Sequence, residues 1–358
     1  IIDPSAIPRQ QAPRRTPIST REALIKKVKQ LEKDGIIQRV DYPTPWISNL
    51  VQVLKKDGSI RITLDPTFLN KAIVRPRFQM PTLEEHLPLL ARARVFTTVD
   101  AKDGFYQMKL DPESADLTTF WTPIGRYRYL RTPQGISSAP EEYQRRQIEA
   151  YEGLRGVLVV ADDALVFGIG DTDAEARADH DRNLRALFDR VRKLGIRLNK
   201  RKLQLGRDSV SYMGHIISRR GVAPDPEKVK AITEMPKPQD AKAVMRFLGM
   251  ANYLLRFVPS FAELTAPLRD ASRKAGDLVW SSAQQTAFEK IKGMLAEAPT
   301  LSFFDPQKEV TIHTDASEIG IGAILSQEGQ PVAYHSHALS PTEQRYATIE
   351  KECLAIVS

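Results

Sequence analysis

Apolar residues recur along the chain at two spacings, and the changes of spacing mark its elements. Residues 1–18 are Pro-rich with no period and read as an extended arm. Leu24, Ile25, Val28 and Leu31 then return at steps of three and four, which predicts a helix capped by Ser19 or Thr20 and running to about Asp34, with Gly35 stopping it. Residues 48–54 and 60–64 flank Lys55-Lys56-Asp57-Gly58, a hairpin signal, and Pro81, Thr82 and Leu83 open a short helix to about Leu90. Val95–Val99 is a β-rich run followed by a helical turn at Gly104, and Thr118–Leu130 reads as strands around Pro123-Ile124-Gly125. A helix follows over Ser138–Tyr151. Val157–Phe167 is apolar except for Asp162 and Asp163 in its middle, which fits two strands joined by a tight acidic turn. Ala174–Leu194 is a helix with Leu184, Leu187, Phe188, Val191 and Leu194 on one face. Gly221–Pro238, punctuated by four prolines, reads as a boundary or hinge. Two or three short helices over 240–275, a helix over Ser282–Ala296, β segments at Val310–His313 and Gly320–Leu325, and a helix over Pro341–Val357 complete the pattern, with no internal repeat.

At 358 residues the chain has room for two or three domains. Its 42% hydrophobic and 27% charged residues exclude wholesale disorder and collagen. The single cysteine, Cys353, excludes an internal disulfide framework and a cysteine zinc site. No apolar run approaches the ~18 residues of a membrane span, so no membrane partner is expected. With no signal peptide read at the start, a reducing intracellular compartment is the default. The net charge of +8 is unevenly placed: residues 1–90 carry +6, residues 219–275 carry +5, and seven basic residues without an acid lie between Arg192 and Arg207. Singly, such clusters are solvated faces; three of them between apolar segments resemble a track for a phosphate backbone.

Three carboxylates stand where carboxylates are costly. Asp100 ends Val95–Val99, and Asp162 and Asp163 interrupt an apolar run. Unpaired anions beside a strand core cost several kcal/mol unless something positive meets them. Mg²⁺, a hard cation held by one or two carboxylates and substrate phosphates, would meet them. Two such ions ~3.5–4 Å apart suit nucleotidyl transfer, activating a hydroxyl and stabilising a leaving pyrophosphate. A lone Asp-Asp pair would be a solvent-exposed turn; the apolar flanks and the partner Asp100 argue against that.

These residues fall into blocks that resemble a known family. Val99-Asp100-Ala101-Lys102-Asp103-Gly104-Phe105-Tyr106-Gln107 is similar to motif A of retroelement reverse transcriptases, and Thr132–Pro140, with Pro133-Gln134-Gly135, to motif B. Val160-Ala161-Asp162-Asp163 sits where the family has its Y-x-D-D box. Tyr212–His215, Phe247–Tyr253 and His313–Ser317 follow in the family's order. The arrangement resembles the polymerase of gypsy-type long-terminal-repeat retrotransposons from about residue 19 onward.

The resemblance implies a role for each matching residue. Asp100 and Asp162 would ligate both Mg²⁺ ions (Mn²⁺ being an alternative), with Asp163 a weaker or more distant ligand. Backbone N–H groups of Asp103 and Gly104 would touch the incoming triphosphate. Phe105 would be a steric gate against a ribose 2′-hydroxyl; without motif A it reads as a core aromatic. Lys55, or Lys56 by one step of register, and Arg61 would bind the triphosphate, where they could equally be exposed hairpin cations. Gln134 and Gly135 would line the nucleotide pocket, Gly135 permitting close approach. Met213 and Gly214 resemble a primer grip, Met213 being alternatively core. Val160 replaces the usual tyrosine, which keeps β propensity but loses ring and hydroxyl, so altered fidelity or processivity is expected rather than lost chemistry.

The implied fold is α/β (α+β): a right-hand polymerase with an antiparallel palm sheet, followed by a truncated ribonuclease H-like α/β domain. Residues 19–218 would be fingers and palm, 219–275 thumb, 276–307 a tether, and 308–358 the incomplete nuclease. The implied partners are an RNA or DNA template with primer, dNTPs, and the protease, remaining ribonuclease H and integrase of the same polyprotein, in the cytoplasm within virus-like particles. The rival reading is a decayed or domesticated nucleic-acid-binding relic, against which stands the retention of Asp100, Asp162, Asp163, Lys55, Arg61 and Gln134. Asp315 matches the first ribonuclease H carboxylate and Glu352 the second, with Glu350 the alternative register. No aspartate follows Asp315 in the chain. The severed domain is expected to pack poorly after about residue 308. The 358-residue chain is expected to leave a labelled RNA–DNA hybrid uncut in a hydrolysis assay; cleavage would overturn that expectation.

Overall fold

The structure, a computed structural model, describes residues 2–54, 58, 60–273 and 278–358. The chain forms two compact units: Ile1–Pro81 with Val99–Ala164 and Leu184–Leu203, and Thr82–Thr98 with Leu165–Asn183 and Gln204–Ser358. Helices and mainly antiparallel sheets are mixed throughout, an α+β fold. No helix among the described residues is long and apolar enough to cross a membrane.

In the first unit, helix Ile18–Lys33 buries Leu24, Val28 and Leu31. These join Ile60, Ile62 and Leu64, the inward alternation of strand Ile60–Asp65, in one core with Phe120, Tyr127 and Tyr129. Strand Asn49–Leu54 pairs antiparallel with Ile60–Asp65, and Gly125–Tyr129 lies between Ile37–Val40 and Phe120–Thr122. The helix starts two or three residues earlier than its sequence suggests. Pro17 is its N-cap and no side chain caps it, so neither Ser19 nor Thr20 takes the capping role. Pro17 holds extended backbone (ψ 142°) and its carbonyl accepts from the Thr20 N–H at 3.1 Å. The N-terminal arm docks through short bridges, Ile2 to Ile73 and Gln10 to Ile47, and Trp121 Nε1 donates to the Gln11 carbonyl at 2.7 Å.

A four-stranded sheet takes Val157–Val160, Asp163–Ile169, Ala93–Asp100 and Gln204–Arg207 in that order. The acidic turn of the sequence reading is shifted by one residue: Ala161 and Asp162 make it, and Asp163 already belongs to the strand.

In the second unit, Ser209–Tyr212, His215–Ser218 and Gly221–Pro224 form an antiparallel sheet. The expected hinge over Gly221–Pro238 is instead partly regular, holding that last strand and helix Pro226–Thr233. Asp225 accepts from the Glu227 N–H at 2.9 Å, and Pro226 sits in the first turn, where proline starts a helix rather than breaking one. Helices Ala241–Asn252, Phe261–Arg273 and Ser282–Ala296 follow, with Phe247 and Phe288 in ring contact at 4.6 Å. Strands Thr311–Ala316, Gly320–Gln327 and Gln330–Ala338 form a third sheet, the last of them unforeseen. The single helix expected over Pro341–Val357 is a short 3-10 turn, Glu343–Arg345, then helix Thr348–Val357, with extended Tyr346 and Ala347 between. The core around Ile321, Leu339 and Ala355 is small, and Ile312 and Ile349 stand 61% and 74% exposed.

Close backbone packing sets one stability test. A Cβ on Gly168 would lie 2.0 Å from the Ala176 carbonyl oxygen, whereas one on Gly249, inside helix Ala241–Asn252, would meet nothing within 4 Å. In urea unfolding, Gly168→Ala is expected to lose about 1–3 kcal/mol. Gly249→Ala is expected to gain roughly 0.5–1 kcal/mol.

Candidate active site

Two strand ends bring the first carboxylates together. Asp100 closes strand Ala93–Asp100 and is 8% exposed. The next N–H, of Ala101, donates to the Asp162 carbonyl at 3.0 Å, so the tip of the acidic hairpin is tied to the end of that strand. Ala161 takes φ +51° to make the turn. Its N–H donates to Gln144 Oε1 at 2.5 Å, while Gln144 Nε2 donates to the Val159 carbonyl at 3.1 Å. Gln144 is fully buried on helix Ala139–Tyr151, so one side chain supplies both partners the hairpin backbone lacks.

The same helix places Tyr143 against the site. Its hydroxyl hydrogen-bonds the Asp162 carboxylate and receives a bond from Gln147 Nε2. Burial, and then the Asp162 charge, push the Tyr143 phenol far above its usual range, so it is a neutral donor. Although Asp162 stands exposed at the tip of the turn, its carboxyl faces the protein: a Cβ on Gly104 would lie 2.5 Å from Asp162 Oδ1 and from the Tyr143 hydroxyl. Desolvation first, and the Asp100 charge second, raise the Asp162 and Asp163 carboxyls above the ordinary carboxylate value. Lys202 Nζ sits 2.6 Å from Asp100 Oδ2, a contact that raises the ammonium's own pKa.

A cavity of about 460 Å³ opens on these groups, lined by Asp100, Asp162, Lys202, Asp103, Gly104 and Phe105 and, from the other side, by Arg61 and Gln134. Asp103 adopts φ +50° and heads the one-turn helix Gly104–Gln107. The Phe105 ring meets Tyr143 edge-on at 5.2 Å, so it is both packed and cavity-lining. Arg61 donates to Gln134 Oε1 through Nη2 (2.7 Å) and Nε (3.1 Å). Gly135, at φ +113°, has a structural reason to be glycine: a Cβ would lie 2.0 Å from the Leu64 carbonyl oxygen. The close approach it permits in the structure is thus to a neighbouring strand.

Not every sequence candidate joins this site. Lys55 and its alternative Lys56 lie outside the described residues. Met213 and Gly214 belong to the second unit, at the turn between Ser209–Tyr212 and His215–Ser218, with φ +48° and +68°. The Tyr253 hydroxyl donates to the Met213 carbonyl at 2.5 Å, and Met213 is half-buried rather than core. Asp315 is exposed on strand Thr311–Ala316; Glu352 is half-buried on helix Thr348–Val357, which packs on that strand. Glu350 is engaged elsewhere, its carboxylate accepting from the Ala347 N–H at 2.8 Å. Among the described residues, no group of three or more His, Cys, Asp or Glu side chains is pre-assembled to hold a metal ion.

Sequence reasoning missed Lys202, Asn199, Tyr143, Gln144 and Gln147 as members of the site. Lys202 was visible only as part of a basic run, and two of that run's seven cations are ion-paired internally, Arg192 with Asp189 and Lys202 with Asp100.

Residues 53–217 match the family described as reverse transcriptase (RNA-dependent DNA polymerase), and residues 280–358 match the RNase H-like domain found in reverse transcriptase. The chain is 34% identical over 355 residues to the retrovirus-related Pol polyprotein from transposon gypsy of Drosophila melanogaster, covering 92% of this chain and 33% of that protein. It is 31% identical over 337 residues to the one from transposon 297 of the same organism, covering 92% of this chain and 31% of that protein. The chain therefore spans about a third of the length of these curated relatives. Among solved structures, the foamy viral protease-reverse transcriptase dRH in complex with double-stranded DNA superposes with a TM-score of 0.88 at 23% identity, over 98% of this chain and 62% of that one. The foamy viral enzyme in complex with RNA/DNA hybrid gives 0.85 at 23%, over 99% and 48%. The right-hand polymerase fold is thereby established.

The raised carboxyls set a pH test. A carboxyl whose folded pKa lies above its unfolded value costs stability; that cost is absent below the unfolded value, grows as pH rises from it toward the folded one, and is full above that. In EDTA at pH 7, Asp163→Asn is therefore expected to melt at a higher temperature than wild type, and the gap is expected to close as the pH falls below about 4. A gap that widens in acid would contradict the raised carboxyl.

Proposed function

We propose that this chain, which belongs to the reverse transcriptase family carried by the Pol polyproteins of gypsy-type retrotransposons, is an RNA-directed DNA polymerase that adds dNTPs to a primer 3′-hydroxyl on an RNA or DNA template. The observation that supports it best is one cavity joining Asp100 and Asp162 on one side to Arg61 and Gln134 on the other. Residues 19–218 serve as fingers and palm, 219–275 as thumb, 276–307 as tether and 308–358 as the ribonuclease H portion. The solved foamy viral relatives, with DNA and RNA/DNA hybrid bound, favour a template–primer partner for this chain too. The other products of the same polyprotein, and virus-like particles in the cytoplasm, are the setting this reading gives it.

The family generally uses divalent metal ions. The residues present fit such ions: hard oxygen donors, two of them with raised carboxyls, gathered around Asp100 with one ammonium as counter-charge. Asp100 and Asp162 would hold Mg²⁺ or Mn²⁺, with Asp163 beside them. The bound metal would supply activation of the primer hydroxyl and charge for the leaving pyrophosphate. The chain's own groups do the rest. Arg61 meets the triphosphate charge and Gln134 holds its guanidinium in place. Backbone N–H groups of Asp103 and Gly104 orient phosphate oxygens at the edge of the cavity they line. Phe105, braced by Tyr143, closes the side of the cavity where a 2′-hydroxyl would stand. Met213 and Gly214 position the primer end from their constrained turn. Asp315 and Glu352 are the nuclease carboxylates within these residues.

Primer extension on poly-rA/oligo-dT tests the reading. Asp162→Asn is expected to lower incorporation with Mg²⁺ or Mn²⁺ by at least about 100-fold; equal incorporation would sink the metal assignment. Phe105→Val is expected to admit ribonucleotides with little change for deoxynucleotides, and unchanged discrimination would remove the gate.

A further inference from the structure

We propose that Lys202 is a displaceable counter-cation: its ammonium holds Asp100 until a divalent cation takes its place, and so limits how tightly that cation binds. The inference rests on the metal reading above and adds a competitor to it.

The geometry carries the argument. Lys202 Nζ stands 2.6 Å from Asp100 Oδ2, on an oxygen that an incoming metal would need. A dication at its usual ~2.0–2.1 Å from carboxylate oxygen and an ammonium cannot share that side of the atom without strong repulsion. The two partners differ in freedom. The Asp100 side chain is 11% exposed and fixed at a strand end, whereas that of Lys202 is 64% exposed on a flexible four-carbon stem. The anion is built in and the cation can swing into water.

The lysine is also delivered on purpose-shaped backbone. The Asn199 N–H donates to the Asp100 carbonyl at 2.8 Å, and its side chain accepts from the Arg201 N–H at 3.2 Å, starting the single turn Lys200–Lys202. Asn199 Nδ2 lies 3.4 Å from Asp100 Oδ1, so the two carboxylate oxygens meet different partners. Displacing Lys202 leaves Asn199 and the backbone link intact, and Asp100 keeps its orientation while the metal enters. Before loading, the ammonium attracts Asp100 most, through the hydrogen bond, and then Asp163 and Asp162 by charge, which offsets their mutual repulsion.

Mn²⁺ titrated into the 358-residue chain without nucleotide, and followed by electron paramagnetic resonance, tests this on wild type, Lys202→Met, Lys202→Gln and Asp100→Asn. Both lysine variants are expected to bind Mn²⁺ with an apparent Kd at least about threefold lower than wild type, the effect of losing one partly exposed ion pair. Binding by the lysine variants alone would be the stronger form of the same result. Equal or weaker binding by both lysine variants, with melting in EDTA showing them folded, overturns the proposal while the metal reading stands. Asp100→Asn reports separately on that reading: if it binds Mn²⁺ as wild type does, Asp100 holds no metal and both fall.

Discussion

The carboxylate site depends on one backbone contact, the Ala101 N–H donating to the Asp162 carbonyl. It joins two strand ends that each terminate in a carboxylate, and like charges brought together in a partly desolvated place resist ionising. Much of what surrounds the contact makes that concentration tolerable. Lys202 answers the charge of Asp100, Tyr143 offers a neutral hydroxyl to Asp162, and Gln144 satisfies the hairpin backbone without adding charge. A carboxylate cluster held this way is poised for a cation instead of being neutralised for good.

How much of this was legible in the sequence follows from which physical signal each part emits. An acid inside an apolar run is conspicuous, so Asp100, Asp162 and Asp163 could be singled out, and the periodic helix Ser282–Ala296 matched its pattern to the residue. The residues that support the acids emit no such signal. Tyr143, Gln144 and Gln147 are ordinary polar or amphipathic members of a helix, and only the fold reveals that their face is buried. Lys202 looked like every other cation of its run, because pairing with Asp100 spans a hundred residues of chain. Local chemistry misled where proline has two meanings: Pro226 begins a helix after its Asp225 cap, although the surrounding prolines argued for a hinge. Strand Gln330–Ala338 escaped notice because, apart from buried Val332, its residues are half-buried or exposed and include two histidines, a weak amphipathic signal.

Small residues near the site answer two different constraints. Gly104 leaves the space that Asp162 and the Tyr143 hydroxyl fill, so its role is local to the carboxylates. Gly135 serves the scaffold, because its missing side chain lets the loop lie against the carbonyl of Leu64. The family block around Gln134 thus combines a residue facing the cavity with one locked to its wall.

That lock gives this wall of the cavity a mechanical character. The Leu64 N–H donates to the Gln134 carbonyl at 2.9 Å, and Arg61, three residues earlier on the same strand, grips the Gln134 side chain. Asn70 continues the join by donating to the Gly135 carbonyl at 2.8 Å and accepting from the Ser137 N–H at 2.9 Å. Strand Ile60–Asp65, the Gln134 loop and the short helix Thr67–Ala72 are therefore stitched into a single plate. Any tilt of that strand would carry Gln134 and Gly135 with it, so this side of the cavity would move as a hinged panel rather than as a loose loop.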